Sequence, residues 1–162
     1  MKTIITLITL VLCGNAFARL NETLDQCVAR YGEPLKKSAD GRVMSWHKQG
    51  IAIVAAFHDA TCEQIEYFKI NSGGEATSER FTDAELTQLQ EINGKQWRPR
   101  LHLIHDAWDG GDGAVMMYFS FTRNIVISTA ERLRRDQAAT EKRQEAKKAA
   151  AEQAAREKLK GL

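Results

Sequence analysis

Two stretches of this chain, set 62 residues apart, pass through the same signals in the same order: an amphipathic helix, a glycine stop, then three runs with strand character. That order constrains the fold, because a helix and a short meander must bury their apolar sides against each other. In the first stretch Leu24, Cys27, Val28 and Tyr31 fall at i, i+3, i+4 and i+7, with Asn21 as the expected cap. Gly32 suits the position past the helix, and Pro34 bars continuation. Val43 to Lys48 and Ile51 to Phe57 read as strands joined by Gln49-Gly50, and Glu63 to Ile70 as a third. In the second stretch Thr82 and Glu85 form a capping box, and Phe81 and Leu86 sit at the staple positions around it. Asn93-Gly94 ends that helix. Leu101 to His105, Ala114 to Phe121 and Ile125 to Thr129 read as strands, with turns at Asp109 to Gly113 and Arg123-Asn124.

At the 62-residue offset, identities fall on landmarks: Leu24 on Leu86, Gly32 on Gly94, Trp46 on Trp108, Ala52 on Ala114, Phe57 on Phe119 and Ile65 on Ile127. The expected fold is therefore α+β: two helix-plus-three-strand antiparallel meanders, over residues 21–70 and 81–130, an internal duplication or a chance recurrence. Residues 131–162 differ in kind. They are alanine-rich, carry ten Lys or Arg against six Asp or Glu, and have no apolar stripe. A long charged helix or a disordered tail is expected there, basic against the acidic domain of residues 19–130.

Met1 to Ala18 read as an export signal: Lys2 as the positive start, Ile4 to Leu12 as the apolar run, Ala16-Phe17-Ala18 as the cleavage site. The run is too short to span a bilayer, and no later segment could cross one. Cleavage after Ala18 is expected, with lipidation at Cys13 as the rival. The mature chain would work in the periplasm or outside the cell and retain two cysteines, Cys27 and Cys62. In an oxidising compartment, without a C-x-x-C or histidines at ligand spacing, these are expected to form a structural disulfide.

The segment Asn21-Glu-Thr-Leu24-x-x-Cys27-Val28-x-x-Tyr31-Gly32-Glu-Pro34, followed by a meander, resembles the helix-Gly-x-Pro opening of small outer-membrane assembly lipoproteins of the small-protein-A type. A duplicated helix-plus-meander unit resembles the beta-lactamase-inhibitor-protein-like architecture. The resemblance covers about residues 21–70 and, more distantly, 81–129. It implies a non-enzymatic module that binds other proteins. The chain departs from the lipoproteins at bulky Leu12, where their lipid-attachment motif has a small residue before the cysteine.

Catalytic signals are missing from the sequence. His102, His105 and Asp106 have no H-E-x-x-H or Cys/His company, and a strand would point His102 and His105 to opposite sides. Asp106, Asp109 and Asp112 lack the spacing of a calcium loop. There is no G-x-S-x-G, S-x-x-K or phosphate-cradling glycine loop. No catalytic residue, metal site or cofactor is expected, nor a nucleic-acid partner. Trp97, Arg98 and Arg100 form the one segment with interface composition. The expected role is binding another protein, with an anionic envelope component as a further partner for the basic tail. The alternatives are an inhibitor of a secreted hydrolase and a small envelope hydrolase.

Overall fold

A computed structural model describes residues 19–94, 96–100 and 106–160. In chain order it holds α1 (Leu24–Tyr31), β1 (Lys36–Lys37), β2 (Val43–Lys48), β3 (Ile51–His58), β4 (Thr61–Lys69), α2 (Asp83–Asn93), β5 (Arg98–Arg100), β6 (Asp106–Asp109), β7 (Val115–Phe119), β8 (Asn124–Ser128) and α3 (Ala130–Lys160). The α+β class stands, with one eight-stranded antiparallel sheet in the order β1-β2-β3-β4-β8-β7-β6-β5. Each half thus contributes four strands rather than three. Among the described residues the unexpected strands are the edges, Lys36–Lys37 and Arg98–Arg100, and β6, whose Asp109 was expected to open a turn. The export signal and the strand expected at Leu101 to His105 lie outside the described residues.

The halves are related by a local two-fold at the seam between β4 and β8. Ile65 stands opposite Ile127, and these are the residues 62 apart. Their neighbours obey the same exchange: Gln64 with Ser128 on one side, Glu66 with Val126 on the other. The match of Phe57 to Phe119 fails, however. Phe57 is in the core, but in β7 the core residue is Tyr118, so Phe119 points to the other side of the sheet. A bulge after Ala56, and a β7–β8 loop of residues 120–123 where β3 and β4 are joined by Asp59-Ala60, shift these strands. A one-residue shift exchanges the faces of a strand.

Both helices pack on one face of the sheet. The core there joins Cys27, Leu89 and Ile92 to Trp46, Ile53, Ile65, Tyr67, Met116, Ile125 and Ile127. Trp46 Nε1 donates to the Gly32 carbonyl at 2.9 Å, and its ring lies 5.6 Å from that of Tyr31. The helix starts have one design. Thr82 caps α2 and exchanges hydrogen bonds with Glu85, and Thr23 does the same with Gln26 at α1. Asn21 is therefore not the cap. Its φ is 67°, and its N–H donates to the Cys62 carbonyl instead. Thr82→Ala and Thr23→Ala should each cost about 1 kcal/mol in urea unfolding. A loss near zero at both would mean that packing alone fixes the helix starts.

The third helix runs for 31 residues, about 46 Å at 1.5 Å per residue. Only its first turns touch the domain: Arg132, Leu133 and Arg135 are half-buried, and Asp136 to Ala154 are exposed. Arg135 reaches the buried Glu63 carboxylate on β4, and Thr129 N–H donates to the Glu63 carbonyl at 2.8 Å. The tail is thus not independent from its first residue. Truncation after Asp136 should leave the melting temperature nearly unchanged, since exposed i,i+4 pairs contribute only about 0.2–0.5 kcal/mol each. Truncation after Ala130 should lower it by several degrees, because Glu63 is left buried without its guanidinium. Equal melting temperatures for the two truncations would remove the role given to Arg135. Among the described residues, no helix is long and apolar enough to cross a membrane.

Candidate functional site

The sheet's second face is covered by neither α1 nor α2. Alternation along β3 places Ile51, Ile53, Ala55 and Phe57 toward the helices and half-buried Ala52, Val54 and Ala56 on this open side. Strand register extends the pattern across the molecule. One row runs from Lys36 through Ser45 and Val54 to Glu66, then through Val126, Met117 and Ala107 to Arg100. The next row carries Ala52, Phe68, Asn124 and Phe119. A third row carries Val43, Ala56, Gln64, Ser128, Val115 and Asp109. Val54, Glu66, Phe68, Met117 and Phe119 are half-buried on this face, whereas Asn124, Val126, Ser128, Val115 and Ala107 are buried, so the face mixes apolar and polar groups and is open only in part.

Glu66 is the charged residue at the centre. It is half-buried between Val54 and Val126, its partners on the adjoining strands. Asn124 Nδ2 donates to its Oε1 at 3.1 Å, and Asn124 Oδ1 in turn accepts from the Thr122 hydroxyl. Burial holds the Glu66 carboxyl above the usual carboxylate value, and the Asn124 hydrogen bond offsets part of the shift. The raised value sets the sign of its effect on stability. As pH rises, the unfolded chain loses this proton before the folded one does, so the folded state is penalised through that window and above it. Glu66→Gln should therefore be more stable than the parent at pH 7, and the advantage should vanish below the unfolded value, near pH 3. Urea unfolding at both pH values checks this; a less stable variant at pH 7 would show that the charge is favourable where it sits.

The face ends on short, guarded edges. Lys36 and Lys37 make up β1, and Arg98-Pro99-Arg100 make up β5, all exposed. Lysine, proline and short length discourage strand addition, so the face rather than an edge is the surface offered. Beside it, the β7–β8 loop carries Phe121, which is 97% exposed.

The three residues singled out by composition separate in the structure. Trp97 is half-buried in the core's margin, donates from Nε1 to the Gln90 carbonyl at 2.7 Å, and covers Gly94 and Gly110. It closes the end of α2 rather than reaching outward. Arg100 forms a two-point ion pair with Asp109, at 2.9 and 2.5 Å. Arg98 stands beside it on the same edge strand, opposite Asp109. Asp112 accepts from Ala114 N–H and shapes the β6–β7 turn. His102 and His105 lie outside the described residues.

Cys27 and Cys62 are both fully buried, and the expected bond between them is not formed. Cys27 Sγ is 3.9 Å from Glu22 Oε2, and Cys62 Sγ is 3.6 Å from the Gln64 carbonyl, so each thiol is directed at an oxygen. Burial, then the nearby Glu22 carboxylate, pushes the Cys27 thiol up to about 12. Cys62 is raised as well, by burial and then by Cys27 beside it. Such thiols are poor nucleophiles at neutral pH.

A cleft of about 340 Å³ lies at the rim of β2 and β3, with Leu24, Met44 and Phe57 beside Arg42, His58 and Asp59. Within it His58 Nδ1 is 3.2 Å from Asp59, while Arg42 is 3.9 Å from Asp40, which lies outside the lining. No family model, curated protein or solved structure matches this chain.

Proposed function

We propose that the chain is a non-enzymatic protein-binding module of the periplasm or the extracellular space, and that it docks its partner on the open face of the sheet. The observation that carries this reading is the row from Lys36 to Arg100, with Val54, Val126, Met117 and Ala107 among its six interior positions, Lys36 at one end and the ion-paired Arg100 at the other. Protein interfaces share that arrangement, a dry centre inside a polar rim. The guarded edges support the same reading, and so does the resemblance of residues 21–70 to protein-binding modules. The basic helix α3 adds a second contact, electrostatic and sensitive to salt, with anionic envelope components.

A photo-crosslinking side chain placed at Val54 or Met117 tests the docking face, with Glu91 on the exposed side of α2 as the control. Exported protein should give one discrete adduct from each face position and none from the control. No adduct from the face, or the same adduct from position 91, overturns the reading.

A further inference from the structure

Glu66 is costly where it stands. A half-buried carboxylate between two valines is retained against its desolvation only when something compensates it. Within the chain, the amide of Asn124 does so in part, at Oε1 alone. Among the described residues no cation is paired with Glu66. The cations of its own row cannot reach it: Lys36 is three strands away and Arg100 four, roughly 14 and 19 Å at 4.8 Å per strand. Arg100 is moreover held by Asp109.

A second copy is a poor occupant for this face. Docked about a two-fold through the sheet centre, it would set one Glu66 carboxylate against the other. Charge complementarity calls instead for a cation, and the valines on either side call for apolar atoms around it. We infer that Glu66 is the seat for a lysine or arginine side chain of the docked protein, carried between apolar neighbours that cover Val54 beside the already buried Val126. Asn124 positions the carboxylate by holding Oε1, leaving Oε2 to accept from the incoming cation. The valine walls exclude water from the ion pair, which makes such a contact a determinant of the dissociation rate.

This inference rests on the docking reading, and its test separates the two. The probe is hexylammonium, a cation on an apolar stem, with hexanol as the neutral control, titrated into the whole mature chain by NMR. Hexylammonium should shift the Val54 and Val126 methyls and the Asn124 side-chain amide, and it should lower the pKa of the Glu66 carboxyl. Glu66→Gln should weaken binding about tenfold, while hexanol leaves the amide unmoved. Shifts of equal size in Glu66→Gln, or a Glu66 titration untouched by the probe, overturn the inference. The Val54 and Met117 crosslinks judge docking separately: an adduct formed in undiminished yield by Glu66→Gln keeps the docking face and removes the cationic seat. A dimer that crosslinks through Val54 or Met117 to a second copy, and still does so in Glu66→Gln, gives the face to a second copy and also overturns it.

Discussion

Trp46→Ala is expected to cost about 3–5 kcal/mol, the range for deleting a large buried aromatic side chain. Trp46 is 1% exposed, packs against Tyr31 and carries the hydrogen bond to Gly32 that ties the end of α1 to β2. Trp108→Ala should cost clearly less, since Trp108 is only half-buried at the core margin. In the second half, Trp97 takes over the task of closing the helix end. Urea unfolding of the two variants measures the difference. Equal losses would mean that the halves share the load evenly, against the unequal burial of their tryptophans.

Oxidation of Cys27 and Cys62 to a bridge is expected to raise stability by about 4 kcal/mol in the chain-entropy account of a 36-residue loop. The backbone already ties the two segments, through Asn21 N–H to the Cys62 carbonyl and Cys62 N–H to the Glu22 carbonyl, both at 2.8 Å. Closing the bond requires the thiols to leave their oxygen acceptors. Because both are fully buried and their pKa values are raised, they react slowly once the domain has folded, so an oxidised form would acquire its bridge during folding. Exported protein, denatured and alkylated without reduction, should show no modified cysteine. Two modified cysteines, with reduced and untreated protein melting together, would falsify the bridge.

Helices and central strands were readable because their signals are local. Thr82 with Glu85, Gly94 past the helix, and the period-two pattern of Ile51, Ile53, Ala55 and Phe57 each declare an element within a few residues. The edge strands were not readable. Lys36–Lys37 and Arg98–Arg100 carry no apolar alternation, since an edge is made safe by charge and proline. Asn21 is a good cap by residue type, but pairing with Cys62 claims its backbone and moves the cap to Thr23.

The open face was legible only in outline. Ala52, Val54 and Ala56 give β3 an apolar second side, a pattern that signals a strand not meant to face bare water. Glu66 gave no signal, because a charged residue alternating with Ile65 and Tyr67 reads as an ordinary solvent-facing position. Its central place follows from β4 pairing with β8, a contact across about 60 residues that no local pattern encodes. Trp97, Arg98 and Arg100 attracted notice by composition, which counts residue types and is blind to where their side chains end.

The seam at Ile65 and Ile127 also bears on how the two halves of one chain find each other. A half taken alone would end in a bare apolar strand, β4 or β8, with a full row of unpaired backbone groups open to any strand of the same kind. The polar connection from Asn71 to Arg80 prevents this by tethering. It keeps the matching strand at an effective concentration in the millimolar range, far above that of other copies in solution. That short tether turns a surface prone to polymerise into the middle of one sheet.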